Sequence, residues 1–88
     1  MKIGMSLTTA YPLQRDSGEL LASLTEQVKL MAELGFDSLS LGDHHLTTEH
    51  YIQVLPAISH MAAISGGMRL LPLFLLPFYN PVLLAEQV

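Results

Sequence analysis

The sequence predicts an α/β fold of three βα units whose strands all run parallel. Three observations predict it. Short stretches with strand periodicity alternate with helical stretches in the order β-α-β-α-β-α. A crossover of about a dozen residues returns the chain to the same end of a sheet, so the strands it joins lie parallel. The third strand candidate, Arg69 to Leu76, is apolar on both faces apart from its start, as a strand covered on both sides has to be. Polar side chains then follow the strands directly, most visibly Asp43-His44-His45, at the end where parallel α/β sheets keep reactive groups.

Each element has a local reason. Lys2 to Thr8 reads as a buried strand, with Ile3, Met5 and Leu7 alternating with Gly4 and Ser6. Ala10 to Gly18 reads as a loop around Tyr11-Pro12. Asp16 followed by Glu19 resembles a capping box at a helix start, with Asp as the capping residue. Leu20, Leu21, Leu24, Val28, Met31 and Ala32 share one helical face, and Gly35 supplies a stop because it takes positive φ without penalty. Phe36 to Gly42 is the second strand. Leu46 to about Gln53 is expected to be loop. A second helix is expected from Val54 to Ser65, with Leu55, Ile58 and Ala62 on its inner face and Gly66-Gly67 ending it. Asn80-Pro81 combines a capping side chain with proline in the first turn, and opens a third helix over Val82 to Val88. The expected sheet order is first, second, third strand, with the helices on one side.

The composition bears on completeness. Of 88 residues, 50% are hydrophobic and only 14% charged, with mean hydropathy +0.40. So small a domain has much surface for its volume, and this excess suggests apolar surface meant to be covered. Three parallel strands leave an open edge, and the third helix has no closing cap. A (β/α)8 barrel takes ~250 residues. Residues 1–88 are therefore expected to be the first three βα units of a TIM (β/α)8 barrel, truncated in the third helix and prone to associate through apolar surface.

Several functions are excluded. There is no cysteine, hence no disulfide framework or thiolate metal site. The net charge is −4, and only Lys2, Arg15, Lys29 and Arg69 are fixed cations, so a basic nucleic-acid footprint is absent. The longest apolar stretch, Leu70 to Phe78, is interrupted by Pro72 and Pro77 and falls short of the ~20 residues of a membrane helix. A cytoplasmic setting is expected.

The chemistry centres on Asp43, His44 and His45. Histidine suits proton transfer near neutral pH, and Asp43 is near enough in sequence to orient an imidazole. Spacing alone does not separate that role from a simple polar rim. Asp43, His44, His45, Glu49 and His50 are all metal-ligand types, yet neighbours on a strand face opposite ways, so no metal site is expected. His50 is expected in a solvated loop, His60 on a helix, and Met5, Met31, Met61 and Met68 in the core. Thr8, Thr9 and Tyr11 after the first strand, and Phe78 and Tyr79 after the third, open onto the same rim. Pro72 donates no ladder hydrogen bond, so a break or bulge is expected there, or an edge position that tolerates it.

Three runs resemble the luciferase-like monooxygenases. They are Met1-Lys2-Ile3-Gly4, the stretch from Ala32-Glu33-Leu34-Gly35-Phe36-Asp37 through Gly42-Asp43-His44-His45, and Leu76-Pro77-Phe78-Tyr79-Asn80-Pro81 through Val88. Together they cover nearly the whole chain in that family's order. The resemblance implies a flavin-binding TIM barrel that uses reduced FMN, or the deazaflavin F420, to oxidise or oxygenate a small organic substrate. It implies His44 as the rim acid/base beside the flavin ring, with Asp43 and His45 as its neighbours in the cofactor site. Many members carry Glu where this chain has Asp43. It also implies a distorted, sometimes cis, peptide against the flavin near Pro72-Leu73, where the proline departs from the small residues often found. A homo-oligomer is a further expectation. Set against the monooxygenase are an F420-dependent dehydrogenase or reductase of the same fold, a metal-dependent hydrolase and a non-catalytic βα fragment.

Overall fold

Leu39 and Leu41 alternate with Ser38 and Ser40, so an extended chain must put both leucines on one face. Both are fully buried, and the strand that carries them is the centre of the sheet. The structure, a computed structural model, describes residues 1–88. Its strands are β1 (Gly4–Leu7), β2 (Ala10–Tyr11), β3 (Ser38–Leu41), β4 (His50–Tyr51) and β5 (Arg69–Pro72). Its helices are α1 (Ser17–Glu33), α2 (Val54–Ala62) and α3 (Pro81–Gln87), with one 3-10 turn at Leu76–Phe78.

The main sheet has the order β1-β3-β5, with both pairs parallel, as the βα alternation predicts. Leu7, Leu41 and Pro72 lie at one level across it, so the three strands end together. At the other end Ile3 N–H donates to Asp37 Oδ2 (2.7 Å), fastening the start of β1 to the start of β3. A Cβ at Gly4 would make Ser38 Oγ rotate away and would lie 3.2 Å from the Ser38 carbonyl oxygen, so the close approach of β1 to β3 favours glycine there.

The strands are shorter than their apolar runs. The difference is largest in β5, which ends at Pro72 although the apolar sequence continues to Leu76. Pro72 causes no bulge: the register runs unbroken from Ser38↔Arg69 to Leu41↔Pro72. The N–H groups of Arg69 and Leu73 donate to Asp37 and Leu41 of the neighbouring strand (2.9 and 3.0 Å). Donors to one neighbour come from alternate residues, so the nitrogen of Pro72 faces the free edge, where a missing N–H breaks nothing. No peptide bond is cis, the one at Pro72-Leu73 included.

The helix ends follow their signals. Asp16 caps α1, its carboxylate accepting from Glu19 N–H (2.9 Å), and Gly35 follows the last turn at φ +79°. Asn80 caps α3 by accepting from Val82 and Leu83 N–H (3.0 and 3.2 Å), an arrangement worth about 1 kcal/mol against alanine. The second helix differs from its expectation. It closes at Ala62, where Ala63 and Ile64 N–H tighten onto His60 and Met61 carbonyls. Its buried face is Val54, Ala57 and Met61, whereas Leu55, Ile58 and Ala62 turn toward β5 and the end of α3. The helix is apolar on two adjacent stripes, and the sheet selects the one that meets Leu39 and Leu41.

One core takes residues from α1, α2 and a single sheet face: Leu24, Val28 and Met31 meet Val54, Ala57 and Met61 over Leu7, Leu39 and Leu41. Met31, Met61 and Met68 are core side chains, but Met5 is 43% exposed because its edge strand is covered on that side only at Leu7. Two loops expected to be irregular pair instead. Ala10 lies opposite Tyr51 and Tyr11 opposite His50 in an antiparallel β2–β4 ladder. No helix is long and apolar enough to cross a membrane.

Leu71, Leu73, Leu75, Leu76, Phe78, Val82, Leu83 and Val88 remain exposed along β5 and α3. An apolar surface of this kind attracts other apolar surface. The chain on its own is expected to self-associate in sedimentation or to bind a hydrophobic dye while keeping its far-UV circular dichroism. A strictly monomeric species with a sharp cooperative melt and no dye binding would show that this face is covered.

Candidate active site at the carboxyl ends of the strands

Because β1, β3 and β5 end at one level, the loops that leave them share one rim. Thr9 stitches the first two together. Its Oγ1 donates to the Gly42 carbonyl (2.9 Å), its own carbonyl accepts from Ile52 N–H (2.9 Å), and the residue is fully buried. Tyr11 O–H donates to the Thr8 carbonyl (2.7 Å). Burial pushes that phenol above its ordinary pKa, while nearby Arg15 pulls it the other way. The Tyr51 hydroxyl oxygen accepts from Leu46 N–H (3.3 Å), and Leu46 takes the left-handed conformation at φ 55°.

Asp43 joins the second rim loop to the third. Its side chain is only 1% exposed. Oδ2 accepts three hydrogen bonds: from Leu75 N–H (2.9 Å), Tyr79 O–H (2.8 Å) and His45 Nε2 (3.0 Å). Oδ1 is buried without a partner. Burial alone would push the carboxyl up. The bonds from Leu75, Tyr79 and His45 together outweigh it, and the group sits below the usual carboxylate range. The same contact acts on Tyr79 in reverse: burial first, then the hydrogen bond and negative charge of Asp43, raise its phenol to about 12.

His45 is held on three sides. Besides Asp43, Nε2 lies 3.3 Å from Tyr79 Oη, the ring stacks on Phe78 (centroids 4.8 Å apart, planes at 29°), and Tyr79 meets it edge-on at 5.6 Å. His44 is arranged differently. Its ring makes no hydrogen bond, and its nearest aromatic neighbour is Tyr51, tilted at 6.4 Å. Half-buried and with no buried orphan nitrogen, it is open to solvent at the mouth of the second loop.

The structure thus brings Asp43 and His45 into one network and leaves His44 beside it. Pro72 and Leu73 stand apart, lining an open apolar cleft of about 590 Å³ along β5 and α3 that includes none of Asp43, His44 and His45. His50 is exposed in β4, and His60 Nε2 lies 2.9 Å from Thr25 Oγ1 between α2 and α1. No three His, Asp or Glu side chains gather as metal ligands. Tyr79 is the member of the network that sequence reasoning under-read. Its position after the third strand placed it at the rim, but only the fold shows its hydroxyl reaching Asp43.

These shifts have consequences for pH dependence. A carboxyl whose folded pKa is depressed adds stability above its unfolded value, ~3.9, and loses that contribution as pH falls through the folded value. The stability difference between the parent and Asp43→Asn, from urea unfolding, is therefore expected to be level near neutrality and to shrink in acid. Tyr79 has the opposite sign, its raised pKa adding stability that is complete below ~10 and lost as pH rises toward about 12. Its ionisation, followed by tyrosinate absorbance, should move down in Asp43→Asn. Identical acid profiles for parent and variant would show that Asp43 gains nothing from its three donors.

No curated protein and no solved structure matches the chain. The family described as luciferase-like monooxygenase matches residues 1–88 of the chain. The parallel strands, the shared rim and the Asp43-His44-His45 sequence after the central strand agree with the three runs that resemble this family, and the chain belongs to the luciferase-like monooxygenases.

Proposed function

We propose that residues 1–88 are the first three βα units of a (β/α)8 barrel in a flavin-dependent monooxygenase, and that His44 is its proton-exchanging residue at the rim. The observation that carries this is the state of His44. It follows the central strand of a chain that the family matches throughout, and its ring nitrogens are unpartnered and open to solvent. A structural histidine in a half-buried position normally spends its nitrogens on the protein. His45 spends one nitrogen in this way, Nε2 on Asp43, and His44 spends neither.

The rim beside His44 and His45 carries the rings of Tyr51, Phe78 and Tyr79, against which a flavin ring would lie, whereas the apolar cleft at Pro72 and Leu73 is separate from it. Asp43 is buried and negative, and neither it nor its neighbours offers a fixed cation, so a phosphate group would be held by other residues. A reduced flavin supplies electrons and activates oxygen for transfer to a small organic substrate. His44 would give or take the proton that accompanies this, and Asp43 and His45 would hold the loop on which His44 sits. Reduced FMN is the cofactor of this reading, and the deazaflavin its alternative. The setting is cytoplasmic, and the exposed face of β5 and α3 is covered by further barrel units or a second copy.

Proton transfer by a positioned histidine contributes ~10²–10⁴-fold to a rate. His44→Ala is expected to lower turnover of reduced FMN and substrate by a factor in that range while leaving flavin binding and melting nearly intact. His60→Ala, between the helices, should leave turnover close to the parent value. Normal turnover in His44→Ala would reduce His44 to a polar rim residue. Tight binding of the deazaflavin with none of FMN would move the reading to the alternative cofactor.

A further inference from the structure

The two rim histidines are in different chemical states. Tyr79 has one hydroxyl proton, and at 2.8 Å it is given to Asp43 Oδ2. Toward His45 the phenol oxygen therefore offers only a lone pair. His45 Nε2 thus faces two acceptors, the Asp43 carboxylate at 3.0 Å and the Tyr79 oxygen at 3.3 Å. A nitrogen between two acceptors carries the proton. In the neutral ring Nδ1 then keeps its lone pair, and Nδ1 has no partner within the chain and is not buried.

We propose that Asp43 and Tyr79 are positioning residues that hold His45 as the Nε2–H tautomer and present its Nδ1 as a fixed proton acceptor at the rim. Stacking on Phe78 and the edge contact with Tyr79 set the plane of the ring, so the direction of the Nδ1 lone pair is set with it. A proton taken at Nδ1 makes an imidazolium whose Nε2–H stays on Asp43, and the carboxylate offsets the new charge. Asp43 is suited to this because its depressed pKa keeps it ionised. Tyr79, which keeps its proton up to about pH 12, continues to act as donor to Asp43 throughout the range in which an imidazole titrates. His44 has no such partner, and nothing sets its tautomer. The rim therefore carries one oriented imidazole and one free one. Their use in a reaction rests on the oxidoreductase reading above, but the tautomer of His45 does not.

The test is long-range ¹H–¹⁵N NMR of the 88-residue chain with labelled histidine, at about pH 9, where an ordinary imidazole is neutral. His45 is expected to show a pyrrole-type Nε2 and a pyridine-type Nδ1, with one tautomer at least about tenfold in excess, one hydrogen bond's worth. His44 is expected to show averaged nitrogens. In Asp43→Asn the His45 shifts should move toward the average. In Tyr79→Phe, which keeps the ring packing, they should move part of the way. A His45 that is averaged in the parent, that carries its proton on Nδ1, or that is unchanged in both variants overturns the proposal. The readout needs no flavin, so a negative result leaves the role of His44 standing. Conversely, unchanged turnover in His44→Ala leaves the tautomer of His45 untouched.

Discussion

The central strand β3 has to satisfy its backbone on both edges and bury two leucines at once. Few sequences do both. Ser38-Leu39-Ser40-Leu41 does, because the leucines share one face and the small serines leave the opposite face free for close approach, as at Gly4 and Ser38. Pairing with β1 on one side and β5 on the other then brings three strand ends to one level. Everything at the rim follows from that alignment. Thr9 can reach Gly42, and Leu75 and Tyr79 can reach Asp43, because their strands finish together. A shift of one residue in either register would separate these groups and turn the leucines away from the helices.

Asp43 is the second consequence of β3. A carboxylate leaving the central strand at rim level cannot escape to water, since the loops after β1 and β5 lie on either side of it. It is tolerable there only because three donors converge on one oxygen. The balance is uneven, with Oδ2 fully used and Oδ1 buried without a partner. Such an arrangement holds loops that otherwise have little packing. The 3-10 turn at Leu76–Phe78 buries none of its residues, and its place is set by Leu75 before it and Tyr79 after it, both bonded to Asp43.

The consequence for chemistry is a division between two adjacent histidines. Next to each other in sequence, they meet different partners. One reaches into the Asp43–Tyr79 network and the other toward Tyr51. Membership of the luciferase-like monooxygenases attaches oxidoreductase chemistry to such a rim, and the geometry supplies what a family match does not, namely which nitrogens are already in use. The apolar exposure along β5 and α3 belongs with the same architecture: β5 is paired on one edge only and carries an uncovered apolar face.

Periodicity and end signals were enough to read the three parallel strands and their order, the length of α1, the capping by Asp16 and Asn80, the stop at Gly35, and the rim position of Asp43, His44, His45 and Tyr79. These features are local: they depend on side-chain alternation, on orphan backbone groups at helix ends, and on the chirality of βα crossovers, all of which are written within a few residues. Other features needed contacts far apart in sequence. Which stripe of α2 is buried depended on what it met, because both stripes are apolar. The β2–β4 pairing required two loops forty residues apart to share a rim. Pro72 stays in register without a bulge because its nitrogen falls on the free edge, a matter of which neighbour β5 has. The partition of His44 from His45, and the part of Tyr79, were settled by side chains crossing from one loop to another. Spacing along a chain carries no information about a hydrogen bond whose partner lies on a different strand, and only the tertiary structure decided them.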